Sequence, residues 1–235
     1  MTKRDVPTLV AEAIARWRAE TERTERDGTA RRKPPTAIAM SHAVASGGEE
    51  IAARVGEALG IHVYDREIVH YIAHEANVHR AAVEALEEYA LSRVETHVQS
   101  LLTGPKFNRT DYLRLLARTV AMLWERGPCV ISGHGCVHLL PDSHVLTVRT
   151  VADFDDRVER FAQSEGMTRK EAENRLEDID AERVRYHQKY FDADVNDPTD
   201  YDLILNTSRL DRHACAALIV EAYRERFAEP AVIAR

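Results

Sequence analysis

The chain of 235 residues is 44% hydrophobic and 30% charged, which is enough apolar material for an ordinary core and predicts one folded domain with elaborations. A formal net charge of -7 argues against a general nucleic-acid binder, which carries a basic face. No apolar run approaches the roughly 20 residues that span a bilayer, and the polar N-terminus does not read as a signal peptide. Cys129, Cys136 and Cys215 fall in apolar stretches without C-x-x-C spacing. They read as buried reduced thiols, which suits the cytoplasm.

Taken in order, the chain begins with a helical stripe over about 8–24, carried by Val10, Ile14 and Trp17. It either packs on its own domain or makes an oligomer contact. A breaker-rich linker follows, from Asp27 to Pro35. Strand signals then lie near 36–41, 61–64, 128–133, 144–150 and 201–206. Helical periodicity covers about 47–59, 66–76, 79–101, 109–126, 153–165, 168–189 and 211–227. Alternation of the two predicts an α/β fold with a mainly parallel sheet. The boundaries expected are an N-terminal extension and linker over 1–35, a main domain over 36–228 and a tail over 229–235.

The most informative stretch is Ser41-His42-Ala43-Val44-Ala45-Ser46-Gly47-Gly48-Glu49-Glu50. It lies between a short apolar strand and a helical pattern, where a phosphate cradle belongs. Laid on G-x-x-x-x-G-K-[ST], it puts His42 at the first Gly, Gly47 at the second, Gly48 at the Lys and Glu49 at the hydroxyl residue. Amides from Ser46 to Glu49 still offer donors to phosphate oxygens, aided by the helix dipole. The Lys charge and the magnesium-orienting hydroxyl are missing.

Four blocks extend this pattern. They are Met40-Ser41-His42 through Ile51, Leu59-Gly60-Ile61-His62-Val63-Tyr64-Asp65-Arg66-Glu67-Ile68-Val69, Cys129-Val130-Ile131-Ser132-Gly133-His134-Gly135 with Pro141-Asp142, and Asp180 to Arg183 followed by Tyr201-Asp202-Leu203-Ile204-Leu205-Asn206-Thr207-Ser208. In this order they resemble the cytidylate kinase-like family, divergent relatives of bacterial cytidylate kinase. The resemblance implies a P-loop NTPase-type three-layer fold, with a helical acceptor-binding insertion between the second and third strands and a helical lid. It also implies ATP and Mg2+ as cofactors and a nucleoside monophosphate or similar small phosphorylated molecule as partner. The function expected is ATP-dependent phosphoryl transfer. The alternative is a degenerate P-loop protein that binds a nucleotide or another anion without efficient transfer, with a regulatory or oligomeric role. Neither nucleic acid nor a membrane is expected as a partner.

The site residues follow from the resemblance, each beside a plainer role. Ser41, His42, Ser46, Gly47, Gly48 and Glu49 would bind phosphate. Arg157, Arg160 and Arg183 would close over it from the lid, although most arginines on a charged helix serve solvated ion pairs. Asp65 would accept an acceptor hydroxyl proton or cap the next helix. Arg66 and His134 would face the acceptor. Glu49 or Glu50 would hold magnesium, or simply favour the first helical turn as acids do. Where the family carries arginine, His42 and His134 would bear charge only when protonated, near pH 6.5 for an unperturbed imidazole. The pairs His70/His74 and His134/His138 have the i,i+4 spacing of metal ligands but no compelling third partner.

Overall fold

The computed structural model describes residues 35–65, Ile68, Ile72, 109–140 and 142–228. The expected N-terminal helix, its linker, most of the segment between the second and third strands, and the C-terminal tail lie outside the described residues.

The centre is a five-stranded parallel sheet in the order β2-β3-β1-β4-β5. Its strands are β1 (Ala37–His42), β2 (His62–Tyr64), β3 (Cys129–Ser132), β4 (Val145–Val151) and β5 (Leu203–Asn206). Helices α1 (Gly48–Leu59), α2 (Arg109–Glu125), α3 (Phe154–Glu165), α4 (Arg169–Phe191) and α5 (Arg212–Phe227) accompany them. The strands and these helices match the ranges expected from sequence to within about two residues, the ordinary uncertainty of element ends.

The period of two along β1 explains its central place. Ala37 and Ala39 join a core layer with Tyr112, Leu116 and Tyr190, while Ile38 and Met40 join the opposite layer with Ile51, Val55 and Ile219. A strand buried on both faces reads as a continuous apolar run, as this one does. Gly56 of α1 permits the close approach of that helix to β2, since a Cβ there would lie 2.3 Å from Val63 Cγ2. Helix α4 starts at a capping box in which Thr168 and Glu171 satisfy each other's backbone amides. Asp211 caps α5 by accepting from the Ala214 amide at 2.7 Å.

Strand order reverses at β1. From β1 the chain goes to one side for β2 and β3, then crosses to the other for β4 and β5. That switch point opens a crevice at the carboxyl ends of the strands, the usual ligand position in such sheets. The three cysteines are free and buried, as their sequence setting indicated. No helix among the described residues is long and apolar enough to cross a membrane.

Candidate functional site

A cavity of about 630 Å³ occupies this crevice, within the range of small-molecule sites. Its walls come from the end of β1 and the following loop, the β3 end at Gly133–Val137, the β4 end, and helices α3 and α4.

The loop is held from below by hydroxyl groups. Ser46 Oγ lies 3.0 Å from Thr150 Oγ1, and the Thr207 hydroxyl donates to the Ser46 carbonyl at 2.8 Å. The Ala43 amide donates to the Thr150 carbonyl at 2.9 Å. Ala45 and Gly47 take the left-handed conformation, with φ of 58° and 80°. Arg212 covers the outer side of Gly47, where a Cβ would stand 2.5 Å from its Nε. The loop thus turns Ala43, Val44 and Glu49 toward the cavity, while Ser46, Gly47 and Gly48 pack against Thr150, Thr207, His42 and Arg212.

The expected site residues separate into two groups. Ser41, His42, Glu49, Asp65, His134, Arg157 and Arg183 all line the cavity. Arg160 does not: it donates to the Thr207 hydroxyl at 3.1 Å and to the Thr207 carbonyl at 3.0 Å. Its place is behind the loop, where it orients the threonine that holds Ser46. Glu50 is turned outward to Arg54 at 3.0 Å and Arg212 at 3.2 Å, so of the two acids it is Glu49 that faces the cavity. Arg66, His70 and His74 lie outside the described residues.

Arg157 meets Asp180 in a two-pronged ion pair at 3.1 and 2.7 Å, the geometry that suits a guanidinium to a carboxylate. This joins α3 to α4 across the cavity. Arg183, one turn after Asp180, donates to the main-chain carbonyl of His42. Burial lowers the Arg183 pKa, and Arg149 and Arg157 add to that against the opposing pull of Asp180 and Glu49. At the β3 end, Gly133, His134 and Gly135 are all left-handed. This turn lets His134 Nε2 donate to the Asp65 carbonyl at 3.2 Å, bringing the ends of β2 and β3 together.

His42 departs from the sequence expectation of a titrating charge. Burial, reinforced by Arg183, His134 and Arg149, pushes its pKa down to about 3. It is therefore a neutral imidazole throughout the physiological range. Its side chain also fills the space beside Gly48, where a Cβ would lie 2.3 Å from His42 Cβ and 2.8 Å from Thr150 Oγ1.

Several groups in the site were not assigned from sequence. Arg149 donates to Ser41 Oγ at 2.8 Å and to Asn196 Oδ1 at 3.0 Å, with its guanidinium 5.7 Å from the Tyr201 ring centre. His187 faces the cavity and accompanies His138 at 3.1 Å. Burial, then the neighbouring His138, Arg149 and Arg183, push His187 down to about 3. A charged residue inside the apolar strand Val145-Leu146-Thr147-Val148-Arg149 was the available signal for the first. No local pattern marks the second.

The match to known proteins agrees with this geometry. Residues 37–209 fit the model of the cytidylate kinase-like family. The chain belongs to the cytidylate kinase-like family. No curated protein matches it. Among solved structures, an uncharacterized protein from Eubacterium ventriosum ATCC 27560 is similar at 20% identity and a TM-score of 0.60, over 82% of this chain and 99% of that one. Shikimate kinase from Acinetobacter baumannii, in complex with shikimate, is similar at 11% identity and a TM-score of 0.47, over 83% and 96%. The family's parallel-sheet, P-loop kinase fold is the one found here, and its sequence blocks acquire distinct physical roles. The Tyr201-to-Ser208 block is mostly structural: Asp202 ties β4 by accepting from the Thr147 amide at 2.8 Å, Thr207 holds the loop, and Ser208 accepts from the Asp153 amide at 2.9 Å. The Asp180-to-Arg183 block faces the cavity.

Proposed function

We propose that the protein is an ATP-dependent phosphotransferase whose acceptor is a nucleoside monophosphate or a similar small phosphorylated molecule. The observation that carries this reading is the convergence of Arg149, Arg157 and Arg183 on a cavity beside the loop between β1 and α1. Phosphoryl transfer asks a protein chiefly for positioning and for stabilisation of charge on the transferring group. Guanidinium groups in a recess supply both, and the amino end of α1 adds a favourable dipole.

The acids lining the cavity fit magnesium. Glu49 and Asp65 offer oxygen ligands, and magnesium at phosphates normally uses one or two carboxylates together with substrate oxygens and water. A closed cage of three protein ligands is therefore unnecessary, and none occurs among the described residues. When bound, the ion would neutralise phosphate charge. Arg183 would hold the transferring group against the loop, and Asp65 would accept the proton of an acceptor hydroxyl. Arg160 is reassigned in this reading to positioning, through Thr207 and Ser46.

The test is turnover of ATP with a panel of nucleoside and sugar monophosphates in the presence of magnesium. The reading requires acceptor-dependent formation of ADP. Thermal stabilisation by nucleotide with no turnover of any acceptor would instead match a binding protein on the same fold.

A further inference from the structure

Arg149 belongs to none of the sequence blocks that carry the family resemblance, yet it is the cation most deeply set in the sheet. It faces Ser41 across the β1–β4 register and is 7% exposed. Its two hydrogen-bond partners, the Ser41 hydroxyl and the Asn196 side-chain amide, are neutral. Tyr201 adds its ring and a hydroxyl close enough to bond Arg149, and it too is neutral. A buried charge is ordinarily paired with an opposite charge. Arg157 has such a partner in Asp180, whereas Arg149 is held by dipoles alone.

Arg183 stands close enough for the two guanidinium groups to repel each other, and it is anchored to the His42 carbonyl. Both line the same cavity. Asp180 and Glu49 offset part of the charge on Arg183, but Arg149 has only neutral partners, so an anion lying between the two guanidinium groups relieves their repulsion.

We propose that Arg149 is a phosphate-binding residue which, with Arg183, clamps one phosphate group of the ligand at the junction of β1 and β4. This deepens the transferase reading and rests on it. The clamp takes a phosphate or phosphate monoester in preference to a neutral sugar or base, because its donors are cationic and Arg presents them in a planar fork. Asn196 and Ser41 act as positioning residues that fix the fork.

The experiment is isothermal titration of the full chain with inorganic pyrophosphate at constant ionic strength. Arg149→Gln is expected to weaken binding by about ten-fold or more, the scale of a lost charge-assisted hydrogen bond. Asn196→Ala, which leaves the charge in place, is expected to change affinity by less than about threefold on the same scale. Equal affinity in wild type and Arg149→Gln overturns the proposal. So does an Asn196→Ala variant that loses as much as Arg149→Gln, because the arginine would then be a loop tether. Should Arg149→Gln fail to fold, the Arg149 Nε–H resonance of the wild type decides: it must shift on addition of pyrophosphate, and an unmoved resonance overturns the proposal. A wild type that ignores pyrophosphate removes both this inference and the transferase reading. Intact turnover and pyrophosphate affinity in Arg149→Gln remove this inference alone.

Discussion

His42 and Gly48 occupy one space. A Cβ on Gly48 would meet the His42 Cβ at 2.3 Å and its Cγ at 2.7 Å, so the first residue of the loop sits where a lysine at position 48 would begin. The two departures from the phosphate-loop pattern, histidine for glycine and glycine for lysine, are thus a single steric exchange.

Gly48→Lys alone should therefore not improve triphosphate binding. Forcing a side chain into this contact should cost about 1–3 kcal/mol of stability. The double variant His42→Gly with Gly48→Lys removes the collision with His42, leaving the Thr150 hydroxyl at 2.8 Å as the group that must give way, and should bind triphosphate more tightly than wild type. Denaturant unfolding and calorimetric titration check both. A stable single variant with improved affinity would show that the exchange is not steric.

Arg183→Ala should lower phosphoryl transfer by about 10³-fold, the scale of an arginine that stabilises transferring phosphoryl charge. Ground-state nucleotide affinity should fall far less. Single-turnover rates beside equilibrium binding separate the two effects, and an unchanged rate would reject the role.

Thr207 is the clasp beneath the loop. Thr207→Val loses the bond to the Ser46 carbonyl and leaves Arg160 short of an acceptor, which should cost about 1–3 kcal/mol. Phosphate affinity should fall with it, and Thr207→Ser should restore both. Loss of stability without loss of affinity would show that the clasp does not shape the cavity.

His42 and His187 make stability acid-sensitive in a defined window. Each has a folded pKa of about 3, against 6.5 for a free imidazole. Between these values the unfolded chain binds protons that the folded chain refuses, so stability falls as pH drops from about 6.5 toward 3. His42→Gln and His187→Gln should each flatten the slope in urea titrations across that range. The same shift excludes His42 as the source of any tightening of ligand binding near pH 6.5. A slope unchanged in both variants would contradict this account.

The strands and the helices from Gly48 onward were legible because period and burial coincide in them: Ala37-Ile38-Ala39-Met40 is apolar on both faces, and α1 carries its apolar residues on one side. The loop was legible from its position between those elements. Its interior was not. Whether Arg160 or Arg157 reaches the cavity depends on which side of α3 each occupies once the helix is docked, and both carry the same charge at neighbouring turns. Arg149 escaped notice because a sheet residue declares its neighbours only across strands, and Ser41 and Asn196 are distant in sequence. The lowering of the His42 pKa comes from burial together with Arg183 on α4, His134 after β3 and Arg149 on β4, groups that are far apart in sequence.

The anchor of Arg183 has a further consequence. Because it grips the main-chain carbonyl at position 42 and not a side chain, that anchor does not depend on which amino acid stands there. The first position of the loop can thereby change in evolution, in step with position 48, while the helix above stays moored. A lineage could trade the glycine of an ordinary phosphate loop for histidine, and its lysine for glycine, without ever passing through an ancestor whose α4 had come adrift.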